Sequence, residues 1–373
     1  MKINDFIDLL GADFYTGVPD SLLRPLSDYI YSIYGVDNKH HIIAANEGNA
    51  VAMGAGYYLA TGKVPVIYMQ NSGEGNIINP LASLMSSDVY AIPAIFIIGW
   101  RGEPGISDEP QHAHQGRVTL SLLECMGISY FVLKKNITVD ELKDRIDQMK
   151  KDLDKGKQIA FVISKGALEN EEKINYTNNN ILTREEIIKA IADAAGDCPV
   201  ISTTGKASRE LFEYRESLGR SHGQDFLTVG SMGHSSSIAV GIAQQKDNKR
   251  IWCIDGDGAA IMHMGAMATI GSLHLPNFIH VIIDNGAHDS VGGMPTAARK
   301  IDFVQIAKGC GYDNVYQAVT MDELQKSLDH LNQHRDGLCL LLVKAAIGSR
   351  KDLGRPTVRP IDNKKMFMDF VAV

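Results

Sequence analysis

Short apolar runs rich in β-branched residues recur along this chain, and each ends in glycine or a polar residue. VPVIYMQ (64–70), IPAIFIIG (92–99), QIAFVISKG (158–166), RIWCIDG (250–256), NFIHVIID (277–284) and LCLLLVKAA (338–346) are the clearest. Between them lie longer stretches of helical period, such as ITVDELKDRIDQMKK (137–151). Apolar runs of this length alternating with helices predict parallel βα units, with both faces of each sheet covered.

The pattern repeats once. NEGNAVAMGAGYYLATG (46–62) echoes GSMGHSSSIAVGIAQQ (230–245), and VPVIYMQNSGEG (64–75) echoes RIWCIDGDGAA (250–260). IPAIFIIGWRG (92–102) parallels NFIHVIIDNGAHDS (277–290), and ITVDELKDRIDQMKK matches VTMDELQKSLDHLNQ (319–333). The expectation is an α/β protein of two doubly wound parallel-sheet domains, residues 1–172 and 183–373, with a linker at 173–182. The join lies in EEKINYTNNNIL (171–182), which is polar and rich in Asn. It runs into TREEIIKAIADAAG, where Thr183 and Glu186 form a capping box at a helix start.

Length and composition then narrow the function classes. The 373 residues suffice for two such domains. A net charge of −7, with 45% hydrophobic and 22% charged residues, recommends neither a nucleic-acid nor a membrane surface. The start, MKINDFIDLLGADF, carries acids in its first turns and does not read as a signal peptide. No uncharged run approaches a membrane span. Cys125, Cys198, Cys253, Cys310 and Cys339 are widely separated, form no CxxC and have no zinc-like spacing with histidine. Reduced, buried thiols in a cytoplasmic protein are the expectation. A non-catalytic nucleotide-binding or regulatory protein on the same fold is the rival from another class.

Ligands of open parallel sheets bind beyond the carboxyl ends of the strands. There the stretch IWCIDGDGAAIMHM (251–264) places Asp257 at a strand end before a helix. Such an acid can cap the helix, grip a ribose, accept a phosphoryl group or bind a metal. After the 26 residues 259–284 comes Asn285, at the end of another apolar strand. Asp257 and Asn285 would be hard oxygen ligands on neighbouring strand ends, suited with backbone carbonyls and phosphate oxygens to Mg²⁺. The helix near Ala259 would point its N-terminus at the same phosphates. Asp255 reads as a structural residue beside them.

GDG followed at this distance by Asn resembles the thiamine diphosphate enzymes. The resemblance implies a pyrimidine-binding first half and a diphosphate-binding second half, with no room for the central third domain many members carry. It implies that Asp257, Asn285 and the carbonyl of Ala287 hold Mg²⁺ on the cofactor diphosphate, beside Gly256, Gly258 and Ala259. Met232, in GSMG, would lie under a bent cofactor, with the Gly230 carbonyl accepting from its 4′-amino group. Thr204, Gly205 and Lys206, in TTGKASREL, would contact the diphosphate. Glu47, in ANEGNAV, would bond N1′ of the aminopyrimidine, which asks for a carboxyl poised between its two protonation states by partial burial. Because such sites join the two kinds of domain from different chains, the resemblance implies at least a homodimer.

GVPDSLL (17–23), GWRGEPGISDEPQHAHQG (99–116), DNGAHDSVGGMPT (284–296) and AIGSRKDLGRP (346–356) narrow the resemblance to one branch. They look like the phosphonopyruvate decarboxylases, with the sulfopyruvate decarboxylases close by. The reaction implied is loss of CO₂ from the small-molecule substrate 3-phosphonopyruvate to give phosphonoacetaldehyde, drawing forward an unfavourable step that makes the C–P bond. A dianionic phosphonate needs cations and N–H donors, for which Arg101, Lys206, Arg350 and Arg355 are candidates. His112, His114 and His288 would donate or move protons. Pyruvate decarboxylases carry a Glu a few residues past the metal Asn, where this chain has Val291. The proton donor is therefore open between His112 and His288. Sulfopyruvate is the nearest rival substrate, and fusion of both halves in one chain favours the phosphonate. A carboligase, which usually needs the central domain, is a further rival.

Overall fold

The computed structural model describes residues 1–36 and 38–372. The chain divides into two compact units between Asn175 and Tyr176, inside the 173–182 stretch. Six strands form the first sheet: β1 (Tyr15–Gly17), β2 (His41–Ile43), β3 (Val66–Gln70), β4 (Ala94–Gly99), β5 (Ser129–Leu133) and β6 (Gln158–Ile163). Their order is 2-1-3-4-6-5, and every pairing is parallel. Strict alternation sorts the side chains. Val66, Tyr68, Ile95, Ile97, Ile159 and Phe161 enter one core. Ile67, Met69, Phe96, Ile98, Ala160 and Val162 enter the other. A period of two with both positions apolar is what a sheet covered on both faces requires.

The second unit repeats this plan. Its main sheet comprises β7 (Val200–Ser202), β8 (Asp225–Leu227), β9 (Ile251–Gly256), β10 (Phe278–Asp284), β13 (Asn314–Ala318) and β14 (Cys339–Lys344). The order β8-β7-β9-β10-β14-β13 is again 2-1-3-4-6-5 within the unit, and all pairings are parallel. A two-residue antiparallel ribbon, β11 (Ala287–His288) with β12 (Met294–Pro295), is inserted after β10. The echoing helices Val139–Leu153 and Met321–Gln333 both begin with capping boxes, Thr138 with Glu141 and Thr320 with Glu323. The box at Thr183 and Glu186 is also formed. On the edge strand β8, Asn363 of the final helix accepts from the Leu227 N–H and donates to the Asp225 carbonyl. That side chain covers backbone groups which an open edge would leave to another strand.

The stretch after the division is fastened to the second unit. Asn178 donates to the carbonyls of Asn285 and Ala345, each at 2.9 Å, and Asn180 donates to Ala345 at 2.8 Å. All five cysteines are free, but burial corrects the expectation for some. Cys253 and Cys339 are buried, Cys198 and Cys310 are partly covered, and Cys125 is exposed on a helix. Among the described residues no helix is long and apolar enough to cross a membrane.

Candidate active site

In the second unit, β9 ends at Gly256 and Asp257 opens the helix Asp257–Met262. Asp257 is 3% exposed, and its Oδ2 accepts from the Thr296 hydroxyl at 2.5 Å. Burial and the neighbouring Asp284 push its carboxyl up to about 7, the Thr296 bond offsetting only part. Asp284 differs, because Lys344 donates to it at 2.5 Å. Among the described residues, Asp257 is thus a buried acid whose carboxyl meets the Thr296 hydroxyl and backbone N–H groups but no cationic side chain.

Asn285 follows directly after β10 and is 7% exposed. Its Oδ1 accepts from the Ala287 N–H at 3.0 Å, the turn that swings the chain into β11. Ala287 pairs with Pro295, which has no N–H, so the Ala287 carbonyl is not claimed by its cross-strand neighbour. Three oxygen donors of the hard type therefore sit at two neighbouring strand ends and on the adjoining ribbon. This donor set fits a small divalent cation on a diphosphate.

Gly258 gathers the neighbouring groups. A Cβ there would lie 3.3 Å from Met232 Cε and 3.5 Å from the His288 ring. Met232 is carried by a turn with positive φ at Gly230, Ser231 and Gly233. Positive φ at Ser231 is a strained conformation of the kind held at ligand sites. The Gly230 N–H donates to Thr204 Oγ1 at 3.0 Å, so Thr204 braces this turn. At Gly233 a Cβ would meet the Ala259 carbonyl at 2.9 Å, which draws the turn against the helix. Burial pushes His288 down to about 4, leaving its imidazole neutral at pH 7.

In the first unit, Glu47 opens the helix Glu47–Thr61 behind its N-cap Asn46, whose side chain accepts from the Asn49 N–H. Glu47 is 5% exposed and accepts from Asn76 Nδ2 at 2.7 Å. A Cβ on Gly73 would lie 2.5–2.6 Å from Glu47 Cγ, Cδ and Oε1. The carboxyl is held between Asn76 and a bare backbone. In Gly73→Ala the flexible Glu47 side chain yields, which costs little stability but moves the carboxyl. The expected result is activity lowered at least about tenfold with the melting temperature nearly unchanged, read by steady-state kinetics and calorimetric melting.

Two residues of this half were not anticipated, Asn71 and Glu74, both in the NSGEG turn after β3. Buried Asn71 donates to the Arg101 carbonyl at 2.8 Å and to Thr119 Oγ1 at 2.9 Å, and accepts from the Arg101 N–H at 3.1 Å. Their only outward sign was a polar run at a strand exit. Among the described residues neither carboxyl oxygen of Glu74 has a hydrogen-bond partner within 3.5 Å, and burial raises the group to about 8, with nearby Thr119 offsetting part. The folded protein therefore binds a proton that the unfolded chain has lost between about 4.5 and 8, and stability falls as pH rises through that window. Relative to Glu74→Gln, wild type loses on the order of 4 kcal/mol across it, measurable by urea unfolding at each pH.

Arg101, Arg350 and Lys206, proposed for an anionic substrate, each meet carboxylates. Arg101 forms a two-pronged bond with Asp108, at 2.8 and 2.5 Å, and donates to Ser21 at 2.9 Å. Arg350 sits among Glu185, Glu213 and Asp352. Lys206 reaches Asp289 at 3.5 Å beside Arg184, which Glu210 holds two-pronged at 2.7 Å. Arg355 lies exposed on the segment 345–359, which has no regular structure. Gly205, with φ +94°, starts the helix Lys206–Ser217. His112 is buried, and burial together with Arg101 lowers it, so it too is neutral at pH 7. His114 instead faces Arg117 on an exposed surface.

Comparison with known proteins agrees with this arrangement. Residues 3–122 match the family described as the N-terminal TPP binding domain of thiamine pyrophosphate enzymes, and 203–343 match the C-terminal TPP binding domain. The chain is 33% identical to the phosphonopyruvate decarboxylase of Streptomyces viridochromogenes, over 97% of this chain and 92% of that one. To the phosphonopyruvate decarboxylase of Streptomyces hygroscopicus it is 33% identical, over 97% and 91% respectively. To the sulfopyruvate decarboxylase of Methanosarcina acetivorans it is 27% identical, over 84% of this chain and 82% of that one. That last match spans both units in one polypeptide, so fusion of the halves does not separate the two substrates.

Proposed function

The chain belongs to the thiamine pyrophosphate enzymes, in the family of the phosphonopyruvate decarboxylases, and on that premise we propose that it removes CO₂ from 3-phosphonopyruvate to release phosphonoacetaldehyde. The observation that carries the cofactor reading is Asp257, a buried carboxyl that meets the Thr296 hydroxyl and, among the described residues, no cationic side chain, beside Asn285 and the Ala287 carbonyl. These three would hold Mg²⁺ with the diphosphate, and Gly256, Gly258 and Ala259 would allow its close approach. Met232 would give the thiazolium an apolar contact, and the Gly230 carbonyl would accept from the 4′-amino group. When bound, thiamine diphosphate supplies the electron sink that a 2-keto acid lacks as its bond to CO₂ breaks.

The side chains do the rest. Glu47, fixed by Asn76 and Gly73, would bond the pyrimidine N1′. The carbon vacated by CO₂ must be protonated, and neutral His112 and His288 are the groups to move that proton. Lys206 has the longest ion pair of the three engaged cations, at 3.5 Å, and is the first choice to turn to the phosphonate. Arg101, Arg350 and Arg355 are the others. The enzyme works as a cytoplasmic homo-oligomer, the pyrimidine unit of one chain completing the diphosphate unit of another. Decarboxylation draws forward the step that makes the C–P bond.

Sulfopyruvate is the second reading, favoured by the Methanosarcina relative. Purified enzyme with Mg²⁺ and thiamine diphosphate, given each acid in parallel, is expected to turn over phosphonopyruvate with the higher kcat/KM. Faster turnover of sulfopyruvate reverses the assignment, and acetoin-type products would make the chain a carboligase.

A further inference from the structure

Behind the strand end that carries Asp257, the core contains three side chains that no step above uses. We infer that Cys253, Asp255 and His280 form a second metal site, for a borderline cation of the zinc type. Sheet register builds it. His280 on β10 lies directly opposite Cys253 on β9, and Asp255 follows Cys253 two residues later, on the same face. The ligand atoms of the three lie within 4.8 Å of one another, and the residues are 0%, 0% and 1% exposed.

The orphaned atoms point to an ion. Asp255 Oδ2 and His280 Nε2 stand 3.6 Å apart, too far for a hydrogen bond, and neither has another partner. Buried polar atoms left this way cost about 1–3 kcal/mol each. The other atom of each group is already engaged: Asp255 Oδ1 accepts from the Gly256 N–H at 3.1 Å, and His280 Nδ1 pairs with the Tyr312 hydroxyl at 3.0 Å. In the tautomer whose Nδ1–H donates to Tyr312, Nε2 turns its lone pair towards Asp255 Oδ2, and a cation between the two would satisfy both. Metal–ligand bonds of about 2.0 Å at a tetrahedral angle put nitrogen and oxygen roughly 3.3 Å apart, close to the observed spacing. An outer partner on the second ring nitrogen is the usual arrangement of a metal-bound histidine. The sulfur turns preference away from Mg²⁺ and towards zinc.

Binding would release the Cys253 thiol proton to solvent and leave the thiolate on the ion. The site is sealed, so the ion takes no substrate. It would tie β9 to β10 just behind the residues those strands present, Asp257 and Asn285. A sulfur-containing set separates it from the all-oxygen set at Asp257.

Elemental analysis of the full-length protein, expressed with zinc and then dialysed against EDTA, tests this. About one zinc per chain is expected to remain in wild type and in Asp257→Asn, and at least tenfold less in Cys253→Ser. Refolding with Co²⁺ should give thiolate-to-cobalt absorption in the first two proteins and not in the third. Zinc well below one per chain in wild type, or a folded wild type without the cobalt–thiolate band, overturns the site whatever the variants do. Asp255 and His280 would then be sharing a proton alone. Zinc retained equally by Cys253→Ser overturns it as well.

Discussion

Glu47→Gln lowers turnover about 10²–10⁴-fold while thiamine diphosphate still binds with nearly wild-type affinity. The substitution keeps the shape of the side chain, and its amide oxygen can still accept from Asn76 Nδ2, the bond that Glu47 makes at 2.7 Å. What disappears is the exchangeable proton, and with it the ability to tune the pyrimidine ring. The pair of measurements is kcat with Mg²⁺ saturating and cofactor affinity by calorimetry. Turnover within a few-fold of wild type would remove Glu47 from the chemistry.

Asp257→Ala produces the complementary failure. Cofactor affinity in Mg²⁺ falls at least about 100-fold, roughly 2.7 kcal/mol, because the only charged member of the proposed ligand set is gone. Turnover is lost through unfilled sites and returns in part at high cofactor concentration. The apo protein adds a signature in pH. Asp257 is raised from 3.8 to about 7, so the folded state retains a proton that the unfolded chain releases, and stability declines as pH climbs through that window. His288, pushed down to about 4 from 6.5, acts in the opposite sense over nearly the same range. Asp257→Asn cancels the first contribution alone. Subtracting its unfolding curve from that of wild type should leave a deficit in wild type that grows towards pH 7 and vanishes when Mg²⁺ and cofactor are added. Identical pH profiles without Mg²⁺ would show that Asp257 carries no such load.

Local chemistry made the fold readable before any coordinates. Capping boxes, apolar runs and glycine exits are each decided within a few residues, and both sheets have the one order that the doubled pattern implied. The proposed ligands Asp257 and Asn285 were legible for the same reason, since each directly follows the end of its own strand. Thr296 was not legible. It reaches Asp257 from 39 positions away, just past a ribbon too short to show a strand signal. Arg101 and Arg350 looked available because a sequence shows charges and not their partners. Asp108 is only seven residues from Arg101, yet its grip depends on how the loop after β4 folds back. Cys125 misled because a helix lying on a core still turns one side to water.

The asparagines of the 173–182 stretch decide where this polypeptide could be parted. Asn178 holds the carbonyl of Asn285 itself, and Asn180 holds Ala345 on the neighbouring strand exit. A protein made as two chains could be divided at 175/176 and keep both clasps with its second half. A break only a few residues later would hand them to the wrong fragment and leave the Asn285 turn without its brace. What reads as spacer is, for the second half, its first working segment.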